Sequence, residues 1–273
     1  MIVVTAATGE LGRRVVEHVL DRVPASDVAV AVRNPAAAEA IAASGAWGAA
    51  ARGVEVRHAD YDDAATLAKA FADADRVLLI SSPELDPAKR IPQHLVAIEA
   101  AVDAGVGGLV YTSGLGADVS AEGILEAHHT TERALAESGL PYAVLRNAFY
   151  SELFLNPGLA DVVAAGELTS STHGRGLNTA NRDDLAEAAA AVLTGADHLG
   201  RAYDLTGPVW TYPELAAALG VAYREVEPAD GPFAWLDGLV RGGVLEQQTG
   251  DLEALLGRPA TSLEQAVRAA VGR

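Results

Sequence analysis

The sequence predicts an α/β protein built on a doubly wound parallel sheet, with a small C-terminal α/β subdomain. Three observations predict it. Short β-branched apolar runs alternate with Ala-rich helical stretches through residues 1–150. The runs VLLI (77–80) and GLVY (108–111) are apolar without alternation, as in strands covered on both faces. And a glycine turn, TAATGELG (5–12), stands where the first apolar run gives way to the first helical stretch.

The elements follow in order. Residues 2–5 read as a strand and 11–22 as a helix; 28–32 is a second strand, and after Arg33-Asn34-Pro35 a helix covers 36–44. A small-residue insertion, GAWGAAARG (45–53), reads as a surface loop in which Trp47 caps the sheet edge. Strands at 54–57, 76–80, 108–111 and 142–145 alternate with helices at 64–71, 91–104 and 128–138. Strands separated by helices of this length need crossover connections and hence a parallel sheet. Beyond residue 150 the pattern changes. Arg182-Asp183-Asp184 opens an Ala-rich helix with both acids at its favourable end. A strand at 201–205 and a helix at 212–219 follow, and the tail is broken by Pro228, Pro232 and glycines before a last helix near Thr261 or Ser262. Residues 1–150 are expected to be the main domain. Residues 151–273 are expected to form a lid or substrate subdomain on the carboxyl edge of the sheet, some segments returning to the sheet itself.

Composition narrows the partners. The formal net charge of −17, from 37 acids and 20 bases, repels nucleic acid and anionic membrane surfaces. Only Lys69 and Lys89 are lysines. Mean hydropathy is +0.16, and no run of eighteen apolar residues spans a membrane. Met1 leads directly into an apolar run with no basic segment before it, so no secretory signal is expected. The absence of cysteine excludes disulfides and thiol chemistry and agrees with a cytoplasmic location. No His/Asp spacing makes a metal cage, and a homodimer is among the arrangements left open.

The glycine turn is the first candidate site. Gly9 lets a pyrophosphate approach the backbone at a helix N-terminus, and Gly12 allows close helix–strand packing. Ala6 stands where a third glycine is usual. Its methyl is tolerable at negative φ and costs about 1 kcal/mol or more at positive φ. At the end of the second strand Arg33 replaces the acid that would bind a ribose 2′-hydroxyl, and Arg13 adds a second cation. A guanidinium there suits a 2′-phosphate, so NADPH is the expected cofactor, with NADH the alternative.

TAATGELG, AVRNPA, RHADYDD, LLISSPE, QHLVAIEAAVDAGV, YTSGLGAD, EAHHTTERALAESGLPYAVLRNAFYSE and GRAYDLTG together resemble the NmrA-like atypical short-chain dehydrogenases. Within them, the type 2 NAD(P)H:quinone oxidoreductases are the most similar. The resemblance runs over roughly residues 1–215 and implies a Rossmann fold with a small substrate subdomain. It implies that Thr8, Gly9, Glu10, Leu11 and Gly12 wrap the pyrophosphate, and that Arg33 meets the 2′-phosphate. By the same resemblance Asp60 and Tyr61 are expected to flank the adenine, and Ser81 and Ser82 to line the loop beside the nicotinamide ribose. Arg146, Asn147, Phe149 and Tyr150 are then expected to form the floor between nicotinamide and substrate.

The chemistry is narrowed by an absence. None of the seven tyrosines has a lysine four residues on, so a Tyr-x-x-x-Lys carbonyl reductase is not expected. The corresponding helix reads His128-His129-Thr130-Thr131-Glu132, with His128 and Glu132 on one face. Two readings remain open: hydride transfer from NADPH to a quinone or related aromatic carbonyl compound, or NADP(H) binding without turnover by a redox-responsive protein. In the first, His128, Asn147 and Tyr150 are the candidate catalytic residues, His128 donating a proton or holding a carbonyl oxygen while Glu132 orients it. Otherwise His128 is a helix residue hydrogen-bonded at the subdomain interface. His129 is expected to be solvated, and Ser113 to be a polar group at the end of the fifth strand. Segment 149–154 and the loop around 228–235 are expected to stack on a flat ring.

Overall fold

The computed structural model describes residues 1–48, 51, 53–230 and 234–272. Seven strands form one sheet: β1 (Ile2–Thr5), β2 (Val28–Val32), β3 (Glu55–His58), β4 (Arg76–Leu79), β5 (Leu109–Gly114), β6 (Tyr142–Asn147) and β9 (Ala202–Leu205), in the order β3-β2-β1-β4-β5-β6-β9. The five pairings that join β3 to β6 along this order are all parallel, with neighbours such as Ile2↔Val28 and Ile2↔Arg76. At the edge, Val144 N–H donates to Arg201 O and Ala148 N–H to Leu205 O, so β9 also advances parallel to β6. The order reverses after β1, which opens a crevice at the carboxyl ends of β1 and β4.

The chain divides into two compact units, Met1–Asn147 with Leu185–Asp204, and Ala148–Asp184 with Leu205–Arg273. In the first, α3 (Ala64–Ala70), α4 (Pro87–Asp103) and α5 (Glu126–Glu137) cover one sheet face. Leu67, Phe71, Ala97, Ala101 and Leu135 pack there on Val3, Ala31, Leu79, Leu109 and Val144. The alternate residues Val4, Val30, Leu78, Val110 and Leu145 are as deeply buried. Their cover includes α1 (Glu10–Leu20), whose Val15, Val16 and Val19 are fully enclosed; in the Ala-rich α7 (Arg182–Thr194), Ala186, Ala188, Ala189 and Ala190 are buried. Burial on both faces is why these strands carry no apolar alternation.

The second unit builds its own core. Short strands β7 (Glu167–Ser170) and β11 (Ala222–Glu225) pair in parallel, and β8 (Leu177–Asn178) pairs antiparallel with β10 (Val209–Trp210). Helices α6 (Leu159–Ala165), α8 (Tyr212–Leu219), α9 (Ala234–Arg241), α10 (Asp251–Leu256) and α11 (Leu263–Val271) complete it. The core holds Leu155, Leu177, Trp210, Leu215, Val240 and Val267. Ser262 caps α11 with a reciprocal Gln265 bond, and Thr211 caps α8 with Glu214 in the same way.

The structure differs from the sequence reading in several places. Strand β5 runs three residues further and β6 two, because each continues into the edge loops where polar side chains replace apolar ones. Strands β7, β8, β10 and β11 and helices α6, α9 and α10 are elements that the pattern did not reveal; each is eight residues or fewer. In the insertion Gly45, Ala46 and Gly48 are exposed, while Trp47 is 1% exposed and its indole N–H has no partner among the described residues. Residues 49, 50 and 52 of that insertion, and 231–233 of the loop around 228–235, lie outside the described residues.

The glycine turn answers the question of Ala6, whose φ is 50°. Its backbone is therefore in the left-handed region, where a Cβ is strained. Replacing Ala6 by Gly removes that strain against a smaller gain in chain entropy, a net stabilisation of about 0.5–1 kcal/mol. Thermal unfolding of Ala6→Gly should move up by about 1–4 °C; an unchanged or lower midpoint would contradict the strain.

Candidate active site

The turn from β1 to α1 leaves backbone donors uncapped. Gly9 is the N-cap of α1 and no side chain bonds the first-turn N–H groups, whereas α2 (Pro35–Ser44), α3 and α4 are capped by Asn34, Asp63 and Asp86. Thr8, Gly9 and Glu10 are exposed, while Leu11 and Gly12 are buried. The two glycines are needed for different reasons. A Cβ on Gly12 would stand 2.4 Å from Ala6 O and 2.8 Å from Ala7 Cα, so packing alone forbids a side chain. A Cβ on Gly9 would meet only Ala6 O at 3.3 Å and would otherwise fill the open space before the helix. That open cradle of free N–H groups fits a pyrophosphate.

Arg33 follows β2 at the same sheet edge, exposed and without an ion pair to any described residue. Arg13, expected to be a second cation, bonds Glu10 at 3.3 Å instead, and Arg14 reaches the same carboxylate at 3.7 Å. Asp60 and Tyr61 sit on the loop after β3. Asp60 Oδ1 accepts Asp62 N–H, and the Tyr61 hydroxyl lies 2.6 Å from both Thr5 Oγ1 and Ile80 O, tying this loop to β1 and β4. Burial pushes the Tyr61 phenol well above its ordinary range, so only its half-buried ring remains for stacking. Ser81 N–H donates to Thr112 Oγ1. The Ser82 side chain is turned inward: its hydroxyl donates to Gln93 Oε1, and Gln93 Nε2 donates to Asp62 Oδ1 at 2.9 Å.

Behind these loops lies a buried polar network whose protons can be assigned. Arg90, which can only donate, lies 3.0 Å from His128 Nε2. His128 Nδ1 therefore carries the proton and donates to Tyr111 Oη at 2.8 Å. Ser82 N–H donates to His94 Nε2, so His94 Nδ1–H donates to Thr131 Oγ1, which passes its own proton to Ala127 O. Burial is the largest cause that lowers both His94 and His128 to about 3, with the Arg90 charge adding to it. Burial likewise pushes the Tyr111 phenol up.

This arrangement departs from the sequence reading of the same helix. His128 and Glu132 do not pair. Both ring nitrogens of His128 are engaged, and Glu132 instead binds Arg146 through Nε at 3.1 Å and NH2 at 2.8 Å while accepting Ser113 Oγ–H at 2.6 Å. The bidentate guanidinium offers the carboxylate a better partner than a neutral imidazole would. His129 is not simply solvated: it is half-buried, with Nδ1 2.7 Å from Ala117 O. Arg146 also faces Asp118 at 3.2 Å and Asp204 at 3.4 Å. Desolvation works against its charge, but Glu132, Asp118 and Asp204 outweigh it and raise its pKa. Next to it at the end of β6, Asn147 Oδ1 is buried without a partner among the described residues. An orphaned acceptor of this kind fits a ligand amide.

The second unit carries Tyr150, which bridges to Ala180. The Arg182 guanidinium lies over its ring, 4.3 Å from the centroid. Trp235, Phe149, Phe154, Trp210 and Tyr212 form a ladder of rings with successive centroids 6.3, 6.5, 5.9 and 5.5 Å apart. Trp235 is 47% exposed at one end. Segment 149–154 thus meets residue 235 of the loop region through Phe149.

Residues 6–196 match the family of NAD(P)H-binding proteins. Quinone oxidoreductase 2 of Escherichia coli is 38% identical over 98% of this chain and 97% of its own. The chain belongs to the NmrA-like NAD(P)H-binding family. Among solved structures, the Citrobacter sp. triphenylmethane reductase complexed with NADP(H) superposes with a TM-score of 0.89 at 34% identity, covering 99% of this chain and 100% of that one. The NADPH complex of the Escherichia coli quinone oxidoreductase gives 0.86 at 37% identity, covering 98% and 99%. The Rossmann-like α/β architecture is that of these reductases.

Several groups of the first unit's polar network, and Arg182 in the second unit, were not singled out from sequence as functional. Arg90, Tyr111, Thr131, His94 and Arg182 each look like ordinary helix or strand residues; only the polar character of His94 and Tyr111 within apolar surroundings hinted at burial. No group of three His, Cys, Asp or Glu among the described residues could hold a metal. No helix of the described residues is long and apolar enough to cross a membrane.

The two histidines also make stability depend on pH. Their folded pKa values of about 3 lie below the unfolded 6.5, so the unfolded chain binds more protons between these values. Stability is full above about pH 6.5 and falls as pH drops towards 3, by up to about 1.4 kcal/mol per pH unit for each histidine. His94→Asn should unfold at lower temperature at pH 7.5 yet show a shallower fall between pH 6.5 and 4.5. An equally steep fall would show that His94 is not kept neutral.

Proposed function

We propose that this protein is an NADPH-dependent oxidoreductase that reduces a quinone or a related flat aromatic carbonyl compound. The observation that carries the reading is the open cradle at Gly9, an uncapped helix N-terminus, with exposed Arg33 following the adjacent strand β2. Full-length likeness to a quinone oxidoreductase and to a reductase solved with NADP(H) supports it. So does the ring ladder of the second unit, which suits a planar acceptor.

When bound, NADPH supplies the hydride. Thr8, Gly9, Glu10, Leu11 and Gly12 would wrap its pyrophosphate, the donors being first-turn N–H groups of α1, since Gly9 N–H is taken by Ala6 O, and Arg33 would meet its 2′-phosphate. The half-buried Tyr61 ring and Asp60 border the adenine, and Ser81 and Ser82 the nicotinamide ribose. Asn147 Oδ1 accepts from the carboxamide. Arg146, saturated by carboxylates, keeps the end of β6 in place rather than reaching for a ligand. His128 serves as a scaffold: its single proton is committed to Tyr111, so it is not the proton donor. Tyr150 protonates the reduced oxygen. That demand is light for a quinone, whose hydroquinone anion is stabilised by its own ring, so positioning supplies most of the catalysis. The acidic surface and the absence of cysteine suit a cytoplasmic enzyme of small molecules, without nucleic acid or membrane partners.

The test is loss of NADPH absorbance against a panel of quinones. Turnover is expected with at least one, and Arg33→Ala should raise the KM for NADPH about 10–100-fold, as loss of a charged hydrogen bond does, while the KM for NADH changes less than about twofold. Tight NADPH binding without oxidation by any acceptor would establish the redox-responsive binding protein instead. An equal loss for both cofactors would remove Arg33 from the 2′-phosphate.

A further inference from the structure

The chain has a tyrosine proposed to donate a proton and no lysine beside any tyrosine to support it. The second unit supplies a cation of another kind. Arg182 opens α7, and its guanidinium carbon stands 4.3 Å from the centroid of the Tyr150 ring. Glu152, two residues beyond Tyr150, holds it there. Its Oε1 accepts the Arg182 backbone N–H at 3.0 Å, and its Oε2 lies 3.4 Å from Arg182 NH1. The three side chains are anchored by backbone as well. Tyr150 bridges to Ala180, Ala180 N–H donates to Phe149 O, and Ser151 N–H donates to Ala180 O, so the two segments carrying Tyr150 and Arg182 are stitched side by side. The Arg182 side chain is only 19% exposed. Solvent therefore screens its charge less than it would screen a surface arginine.

We propose that Arg182 is a positioning residue for the reaction: stacked on the ring by Glu152, it fixes the orientation of Tyr150 and favours release of the Tyr150 hydroxyl proton. The inference rests on the oxidoreductase reading for its catalytic meaning. A guanidinium over a phenol face is attracted by the ring, and attracted more strongly once the ring carries the negative charge of a phenolate. Arg182 from α7 stands over the ring, and Glu152 from the turn after Tyr150 is paired with that guanidinium. They act in opposite directions, Arg182 promoting ionisation and Glu152 opposing it. In the step itself, the acceptor that has gained a hydride takes the Tyr150 hydroxyl proton on its oxygen. The O–H bond of Tyr150 breaks, an O–H bond forms on the product, and the phenolate recovers a proton from water. No further oxidant or reductant is needed.

Two readouts test this, one independent of turnover. Protein labelled with 13C at the tyrosine Cζ is titrated without cofactor, and the Tyr150 resonance is assigned by its loss in Tyr150→Phe. Arg182→Gln should raise the Tyr150 midpoint by about one pH unit or more. Arg182→Lys should restore part of the difference, and Glu152→Gln should lower the midpoint. In steady-state assays Arg182→Gln should reduce kcat about fivefold or more with NADPH affinity unchanged, and should have no further effect on a Tyr150→Phe background. A Tyr150 midpoint that does not move in Arg182→Gln, in protein whose unfolding temperature shows it is folded, overturns the proposal. So does an equal loss of kcat with Phe at 150. A shifted midpoint in protein that oxidises no NADPH with any acceptor upholds the effect of Arg182 on Tyr150 and sinks only the oxidoreductase reading.

Discussion

The bond from Arg90 to His128 is the constraint on which the polar interior of the first unit depends. A guanidinium has no acceptor, so His128 Nε2 must be unprotonated, and its one proton is sent to Tyr111. A second fixed donor, the backbone N–H of Ser82, does the same for His94. Between them the protons of both imidazoles have one direction. The consequence reaches the sheet edge, because Ser82 also bonds Gln93, and Gln93 bonds Asp62. The loops after β3 and β4 are thus held to α4 and, through His94 and Thr131, to α5. A network this buried is stabilising only when fully satisfied, and neutral imidazoles satisfy it where imidazolium ions could not.

The cations of this unit are divided by the same logic. Arg146 is surrounded by Glu132, Asp118 and Asp204, and spends its donors on holding β5, β6, β9 and α5 in register. Arg33 is left exposed at the end of β2. Gly9 and Gly12 show a parallel division. One glycine is demanded by its own helix packing, the other leaves space that the fold does not use. Groups that the fold leaves unspent mark where a ligand is received, and Asn147 Oδ1 belongs with them.

The second unit follows a different economy. Its core is smaller, and much of its aromatic content is gathered in the ladder from Trp235 to Tyr212. Trp210 is buried in the core with Phe154 and Tyr212 packed on it, and the ladder reaches the surface at Trp235. Tyr150 stands beside this ladder in sequence, with the Arg182 guanidinium, itself paired with Glu152, over its ring.

The sequence by itself determined the architecture of the first unit and the nature of its cofactor loop. Apolar runs such as VLLI and helical stretches such as 182–194 are local signals, because burial on one or both faces imposes a period on adjacent residues. Gly9, Gly12 and Arg33 were legible for the same reason: a strand–turn–helix places them by their spacing alone. The tertiary structure decided what each polar side chain does. Whether Glu132 orients His128 or clamps Arg146 depends on which cation the fold brings near, and Arg146 is fourteen residues away. Tyr111, Arg90 and His94 acquire meaning only when β5, α4 and α5 pack together. The short strands β7, β8, β10 and β11 hid because two to four residues carry too little periodicity to read. Local pattern follows from backbone geometry, which a few neighbouring residues fix. Proton direction and charge pairing follow from contacts between residues far apart in the chain, and only folding chooses those.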